Sequence, residues 1–144
     1  MAKPIIQMMF VCDGNTCRSP MCMYVMRKKL NERGLNVKVI SRGLNADNDA
    51  PINPNAGKAL KDIGVRVGNF KSKRIEKKDV DKSNLIITMN KRAEKLFNSV
   101  KVFSADEIIG CEISDPYGKE QKVYNETLSL IEKMCDRIIK ELQK

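Results

Sequence analysis

An apolar run that leads directly into a polar loop and then into a helix constrains the fold of this chain most. Ile5–Val11 is largely apolar and strand-like, the polar loop Cys12–Arg18 follows at once, and Ser19-Pro20 opens a helical pattern. Proline suits the first turn of a helix, where its missing N–H group would have had no helical partner. This order predicts a loop that joins the carboxyl end of a strand to the N-terminus of a helix.

Strand-like runs and helical patterns alternate along the rest of the 144 residues. The periodicity predicts strands at Val37–Ser41, Leu85–Met89 and Val100–Phe103, and helices at Met21–Arg33, from Asn53 to Ile63, from Asn90 to Phe97, and along the stripe Tyr124, Leu128, Ile131, Cys135, Ile138 and Leu142. Such alternation predicts a single α/β domain over residues 1–144, with a four-stranded parallel sheet and helices on both faces. Ligands of such sheets bind at the carboxyl ends of the strands, where Cys12 stands.

The net charge and the cysteine count limit the partners of the chain. A formal net charge of +9 fits nucleic acid, an anionic membrane or an acidic substrate. No aromatic residues interleave with the basic residues of Lys71–Lys78, so we expect no nucleic-acid partner. No apolar run has the length of a membrane span, and we expect no membrane partner. An odd count of 5 cysteines without a signal peptide predicts a reduced, cytoplasmic setting.

The loop Cys12–Arg18 combines a thiol with groups that bind anions. A helix N-terminus offers unpaired N–H groups, and the residue types of Gly14 and Asn15 tolerate the left-handed backbone that lets successive N–H groups wrap an oxyanion. The planar fork of Arg18 can bind two oxygens at once. Helix N-termini and nearby cations also favour thiolates, and the Ser19 hydroxyl can donate to the sulfur. The pattern predicts a nucleophile beside an anion site.

Two other features have ordinary explanations when each is taken alone. Asp115-Pro-Tyr117 would be read as a simple turn. The spacing of Cys12, Cys17 and Cys22 is not that of metal ligands, and the chain has 0 histidines, so we expect no metal.

Together, however, the two segments resemble a known family. Cys12–Pro20 resembles the signature of the low-molecular-weight protein tyrosine phosphatases, and Asp115–Tyr117 resembles the segment that carries their general acid. Ser41–Gly43 and Leu85–Met89 are similar to family segments in the expected order. The resemblance covers almost the whole chain and implies a protein phosphatase that needs no cofactor.

The resemblance also implies roles for individual residues. Cys12 would form a phosphocysteine, Asp115 would act as general acid and then as general base, and Ser19 would stabilise the thiolate. Asn15 and Ser41 would support the loop. The phosphoryl oxygens would be held by Arg18 and the loop residues Asp13, Gly14, Asn15, Thr16 and Cys17. The expected partner is a phosphorylated protein, with phosphate and other oxyanions as inhibitors, and the expected state is a monomer.

The substrate pocket departs from that of the best-known tyrosine-specific members. Thr16 stands where they often have isoleucine, Tyr117 is followed by glycine, and Phe70 replaces a histidine that supports the loop in many members. Asp13, Thr16 and Tyr117 are the expected pocket residues. A branch of the family that removes phosphate from arginine resembles the chain at Thr16 and at Asp115–Gly118. Phosphotyrosine and phosphoarginine both stay open as substrates.

Two other functions, an arsenate reductase and a phosphate-binding module, make different demands on the cysteines and on Asp115. An arsenate reductase that relays a disulfide would need thiols between Cys22 and Cys111, where the sequence has none. A phosphate-binding module without catalysis would keep Arg18 but would not need Cys12 or Asp115, and this chain has both. Cys17 has two open roles, since it can form a protective disulfide with Cys12 or simply pack in the core.

Overall fold

A computed structural model describes residues 4–89 and 102–144 of the chain. Its four described strands are β1 (Gln7–Cys12), β2 (Lys38–Gly43), β3 (Leu85–Thr88) and β4 (Val102–Ser104). Its described helices are α1 (Arg18–Glu32), α2 (Pro54–Asp62), α3 (Lys77–Lys82), α4 (Ala105–Ile109) and α5 (Gln121–Leu142).

The strands form one parallel sheet in the order β2-β1-β3-β4, which confirms the predicted α/β fold. β1 is an inner strand, and Met9 pairs with Ile40 on one side and with Ile86 on the other. Every residue of β1 is buried. Because helices cover both faces of a parallel sheet, its inner strands are continuously apolar instead of alternating, as Ile5–Val11 is.

The two faces of the sheet carry cores of different size. The larger core packs α1, α2 and α5 against side chains such as Met8, Phe10 and Ile87. The smaller core contains Met9, Val11, Ile40 and Ile86, and Val80 of α3 packs against it. The predicted stripe of α5 faces the larger core, where Tyr124, Leu128, Ile131, Cys135 and Ile138 are buried.

The predicted boundaries differ from the observed ones by a few residues. β1 begins two residues later than predicted, and α1 begins at Arg18 instead of Met21 because the loop ends directly in the helix. The predicted cap of α2 is present, since the Asn53 side chain accepts a hydrogen bond from the Asn55 N–H group at 2.9 Å. The helix predicted from Asn90 to Phe97 and the start of the strand Val100–Phe103 lie outside the described residues.

Two short helices, α3 and α4, were not predicted. Each begins with a capping box, formed by Glu76 with Asp79 and by Ser104 with Glu107. Helices of 6 and 5 residues are too short for an apolar periodicity to stand out, so only the capping residues marked them.

Gly43 gives the first prediction, because it ends β2 beside the loop that follows β1. A Cβ atom there would lie 2.6 Å from Ala46 Cβ, 2.8 Å from the Asp13 carbonyl oxygen and 2.9 Å from Asn15 Cβ. We expect Gly43→Ala to lower the free energy of unfolding by about 1–3 kcal/mol, as overpacked substitutions do. Urea unfolding would measure the change.

Gly57→Ala in α2 is the matched control. Its nearest neighbour would be Ile52 Cγ2 at 3.6 Å, an ordinary contact. We expect this change to raise the free energy of unfolding by roughly 0.5–1 kcal/mol, because alanine is the better helix former. Equal stability of Gly43→Ala and the parent chain would contradict the crowding at β2.

Candidate active site

Residues 12–18 join the end of β1 to the start of α1, as predicted. Cys12 is the last residue of β1, and Arg18 is the first of α1. The chain after β2 runs beside this loop, since Leu44 N–H donates to the Cys12 carbonyl and Asn45 N–H to the Asp13 carbonyl, both at 2.9 Å. The loop therefore lies at the carboxyl edge of the sheet and at the positive end of the α1 dipole.

The Cys12 sulfur lies against hydrogen-bond donors. Ser19 Oγ is 2.9 Å from Cys12 Sγ, and the Asn15 N–H group donates to the sulfur at 3.3 Å. Cys12 is buried, with 3% of its surface exposed. A hydroxyl and an amide N–H group thus lie within hydrogen-bond distance of the buried sulfur.

Asn15 holds the loop through every polar atom of its side chain. Its φ of 57° is in the left-handed region, which asparagine tolerates better than most residues. Nδ2 donates to Ser19 Oγ at 2.8 Å and to Ser41 Oγ at 3.0 Å, and Oδ1 accepts the Lys73 N–H group at 2.9 Å. The side chain is fully buried and fully paired.

Lys73 is a supporting residue that the sequence analysis missed. It acts through its main-chain N–H group, which every residue except proline carries, so its side-chain type gave no signal. Phe70 packs against Tyr24, with ring centroids 6.2 Å apart.

Arg18 and Asp115 meet at the mouth of the loop. The buried Arg18 donates from Nη1 to the Ile113 carbonyl at 3.1 Å, and its Nη2 lies 3.8 Å from Asp115 Oδ2. Asp115 Oδ1 accepts the Tyr117 N–H group at 3.1 Å, which orients the carboxylate. The segment from Ile113 to Tyr117 thus places an exposed carboxylate beside a buried guanidinium.

A cavity of about 160 Å³ lies between these groups. Its lining consists of Cys12, Gly14, Asn15, Thr16, Cys17, Arg18, Asp115 and Tyr117. Two of the three predicted pocket residues, Thr16 and Tyr117, are among them. Asp13 does not line this cavity, so its part in substrate binding stays a prediction.

The sequence profile of the family described as "Low molecular weight phosphotyrosine protein phosphatase" matches residues 7–144. The chain belongs to this family. The match covers the whole sheet and both segments that form the cavity. The extension of the domain to residues 1–144 stays a prediction.

Two similar sequences and one similar solved structure carry three different names. A protein-arginine-phosphatase of Bacillus subtilis is 28% identical over 148 residues, covering 96% of this chain and 98% of the relative. An arsenate reductase of Brevibacillus brevis is 30% identical over 131 residues, covering 88% and 92%. The solved structure of a low molecular weight protein tyrosine phosphatase from T. tengcongensis superposes with a TM-score of 0.88 at 28% identity, covering 94% and 99%.

Cys17 is the last residue of the loop before α1, and the sequence analysis missed its partner, Tyr124. The Cys17 sulfur is 3.6 Å from Tyr124 Oη, and burial raises the pKa of both the thiol and the phenol. Cys12 and Cys17 are both free thiols here. The two predicted roles of Cys17, a disulfide with Cys12 and simple packing, both stay open.

Residues 4–89 and 102–144 contain no group of 3 or more His, Cys, Asp or Glu placed to hold a metal ion. None of the helices among these residues is long and apolar enough to cross a membrane.

Asn15 gives the second prediction, in which two substitutions distinguish the contribution of its backbone conformation to stability from that of its side-chain hydrogen bonds. Asn15→Gly keeps the left-handed conformation but removes the hydrogen bonds, whereas Asn15→Ala loses both. We expect both substitutions to lower the free energy of unfolding by roughly 1–3 kcal/mol, because buried partners of Asn15 lose their hydrogen bonds. Asn15→Ala should lower it by about 1 kcal/mol more, because alanine disfavours the left-handed backbone. Urea unfolding would measure both changes. Equal stability of the two variants would show that the backbone conformation is not strained.

Proposed function

We propose that this chain removes the phosphoryl group from phosphorylated protein side chains through a phosphocysteine on Cys12. One observation carries the proposal: Cys12, Arg18 and Asp115 line one cavity, with Arg18 Nη2 3.8 Å from Asp115 Oδ2. A nucleophile, an anion-binding fork and a proton donor within one cavity are the groups that a hydrolysis in two steps requires.

In the first step, the Cys12 thiolate attacks phosphorus in line with the leaving group. An S–P bond forms while the bond from phosphorus to the leaving oxygen or nitrogen breaks. Arg18 and the loop N–H groups of residues 13–18 bind the three equatorial oxygens as their charge redistributes. Asp115 gives its proton to the leaving group, which departs as a neutral hydroxyl from a phosphate ester or as a guanidinium from phosphoarginine.

In the second step, water hydrolyses the phosphocysteine. Asp115, now a carboxylate, takes a proton from the attacking water, and an O–P bond forms while the S–P bond breaks. The products are inorganic phosphate and the Cys12 thiolate, which the Ser19 hydroxyl and the Asn15 N–H group stabilise as a leaving group. Asp115 ends the cycle protonated, as it began.

The remaining roles follow from this scheme. Asn15 and Ser41 act as loop supports, and a phosphorylated protein is the partner. Phosphate and similar oxyanions, as products or mimics, compete for the same donors. We also propose a monomer that works in the cytoplasm without a metal or cofactor, in line with the expectations from the sequence.

An arsenate reductase is the main rival, because a relative carries that name. A thiol relay needs cysteines that can reach Cys12 in turn. Cys22 and Cys135 are fully buried on the α1 and α5 sides of the core, and burial raises the pKa of both thiols. Asp115 in the cavity serves hydrolysis, whereas a relay of disulfides has no need of it.

Asp115 gives the third prediction. We expect Asp115→Asn to slow the turnover of alkyl phosphates, whose leaving oxygen needs a proton, by roughly 10²–10⁴-fold. Aryl phosphates with acidic phenols should slow much less. Steady-state kinetics over a series of leaving groups would measure the slope, with Ser114→Ala on the same loop as the control. Equal slowing across the series would remove Asp115 from the acid role.

For the substrate, we propose phosphoarginine. A phenyl ring binds best in an apolar slot with aromatic walls, and the only aromatic residue lining the described cavity is Tyr117, which is 70% exposed. Thr16 instead gives the mouth of the cavity a hydroxyl, and Asp115, once it has given up its proton, is a carboxylate that can pair with the departing guanidinium. The similarity to a protein-arginine-phosphatase supports the same choice.

Thr16→Ile gives the fourth prediction, measured as the ratio of kcat/KM for phosphoarginine and phosphotyrosine peptides of one sequence. Isoleucine adds apolar surface and removes the hydroxyl, so we expect the ratio to shift towards phosphotyrosine by roughly 10- to 200-fold. Cys12→Ser, which keeps the oxyanion donors but lacks the thiolate, is the inactive control. An unchanged ratio, or a parent chain inactive on phosphoarginine, would leave phosphotyrosine as the substrate.

A further inference from the structure

A second cavity, of about 300 Å³, lies at the outer edge of β2. We call it the β2-edge cavity. It is bounded by α1, by β2 and by the segment 69–73, and its charged lining residues are Arg27, Arg42, Lys71 and Lys73. Tyr24 and Phe70 form an aromatic wall on one side. No group in this cavity takes part in the reaction proposed above.

Two guanidinium groups in this cavity are held in fixed positions. Arg27 donates from Nε and Nη2 to the Val39 carbonyl at 3.1 and 2.7 Å. Arg42 donates from Nη1 to the Ser41 carbonyl at 2.8 Å. Both arginines are thus fixed to alternate carbonyls of the same edge strand, and each keeps N–H groups beyond those used in these bonds. Little side-chain entropy remains to be lost when they bind a ligand.

The positive charge of the β2-edge cavity is poorly balanced. Its lining contains no carboxylate among the described residues. Asp79 pairs with Arg42 at 3.0 Å from the α3 side, which leaves Arg27, Lys71 and Lys73 without an ion pair to any described carboxylate. Burial lowers the pKa of Arg27, because its charge has lost water without gaining an acidic partner. A bound anion would supply the missing charge.

The cavity also shares two residues with the support of the catalytic loop. Ser41 accepts the Asn15 side-chain amide, and the Lys73 N–H group donates to the same side chain. A ligand bound by the Lys73 ammonium and by the two arginines would therefore restrict the motion of Ser41 and of Lys73. These are two of the residues that hold the Asn15 side chain. Asn15 in turn donates to the Cys12 sulfur.

We propose that the β2-edge cavity binds a tetrahedral phosphate dianion, either free or carried on a protein segment, and that this ligand stabilises the Asn15 side chain. Two fixed forks and two mobile ammonium groups match the several oxygens of a phosphate better than a single carboxylate. The site is separate from the Cys12 cavity, so its binding does not depend on the proposed turnover.

The test is an NMR titration of the full chain with inorganic phosphate, and in parallel with a phosphoserine peptide. The Arg27 Nε resonance reports on the β2-edge cavity, because Arg27 has no bond to the catalytic loop. We expect it to shift and saturate in the parent chain and also in Arg18→Ala, which weakens phosphate binding at the loop. Tighter binding of the peptide would identify a protein-bound phosphate, and tighter binding of the free ion would identify phosphate itself.

Lys71→Gln/Lys73→Gln removes two exposed ammonium groups but keeps the Lys73 main-chain bond. We expect roughly fivefold weaker binding at Arg27 Nε, as the loss of two exposed charges implies. Lys122→Gln/Lys133→Gln on α5 changes the net charge equally and should bind as the parent does. Equal weakening in both double variants, or no saturable shift of Arg27 Nε, would overturn the site.

The link to the loop is measured separately in Arg18→Ala. Hydrogen exchange of the Asn15 side-chain amide should slow severalfold when the β2-edge cavity fills, because its partners Ser41 and Lys73 become more rigid. Exchange that does not change at saturating phosphate would overturn this part of the proposal.

Discussion

The buried side chain of Asn15 is the interaction on which the catalytic loop depends. It connects the start of α1 at Ser19, the edge strand β2 at Ser41 and the segment at Lys73, three parts of the chain that are distant in sequence. A buried polar group that loses its partner costs about 1–3 kcal/mol, so an apolar residue in this place would leave several groups uncompensated. The left-handed backbone of Asn15 also aims its N–H group at the Cys12 sulfur, so the residue that supports the loop also contacts the nucleophile.

The parallel sheet explains why these parts of the chain meet. Parallel strands end on the same edge, so the loops that follow β1 and β2 leave the sheet side by side, with Cys12 in register with Gly43. The close approach of the two loops excludes a side chain at Gly43. Arg18 then joins this edge to the segment that precedes α5 through the Ile113 carbonyl. The sheet thus fixes Cys12 directly, and Arg18 links the segment that carries Asp115 to it.

The sequence was most informative where function depends on side-chain type. The pattern from Cys12 to Pro20, with Asp115, contained the loop, the fork and the carboxylate, and the alternation of strands and helices predicted the sheet. The sequence contained no signal where a main-chain group acts, as at Lys73. It also contained none where a contact joins distant elements, as between Cys17 and Tyr124. The helices α3 and α4 were not predicted, because their capping residues also occur in ordinary turns. Asp13 was placed in the pocket by its position in the loop, but the direction of its side chain depends on local backbone angles that no spacing reveals.

The cavity has a rigid half and an exposed half, and this division bears on substrate choice. Cys12, Arg18 and Ser19 are buried, and Ser19 lies 2.9 Å from the Cys12 sulfur and donates to the Arg42 carbonyl of β2. In the proposed mechanism they contact only the phosphoryl group. Asp115 and Tyr117 are exposed on the segment before α5 and line the part of the cavity where the proposed mechanism puts the leaving group. Changes in this exposed half, and at Thr16 between the halves, can alter the preferred leaving group without disturbing the phosphoryl site. Relatives named for tyrosine, for arginine and for arsenate fit such a separation. The proposed function therefore assigns the determinants of specificity in this chain to a few side chains at the mouth of the cavity, among them Thr16, which lines it from the loop.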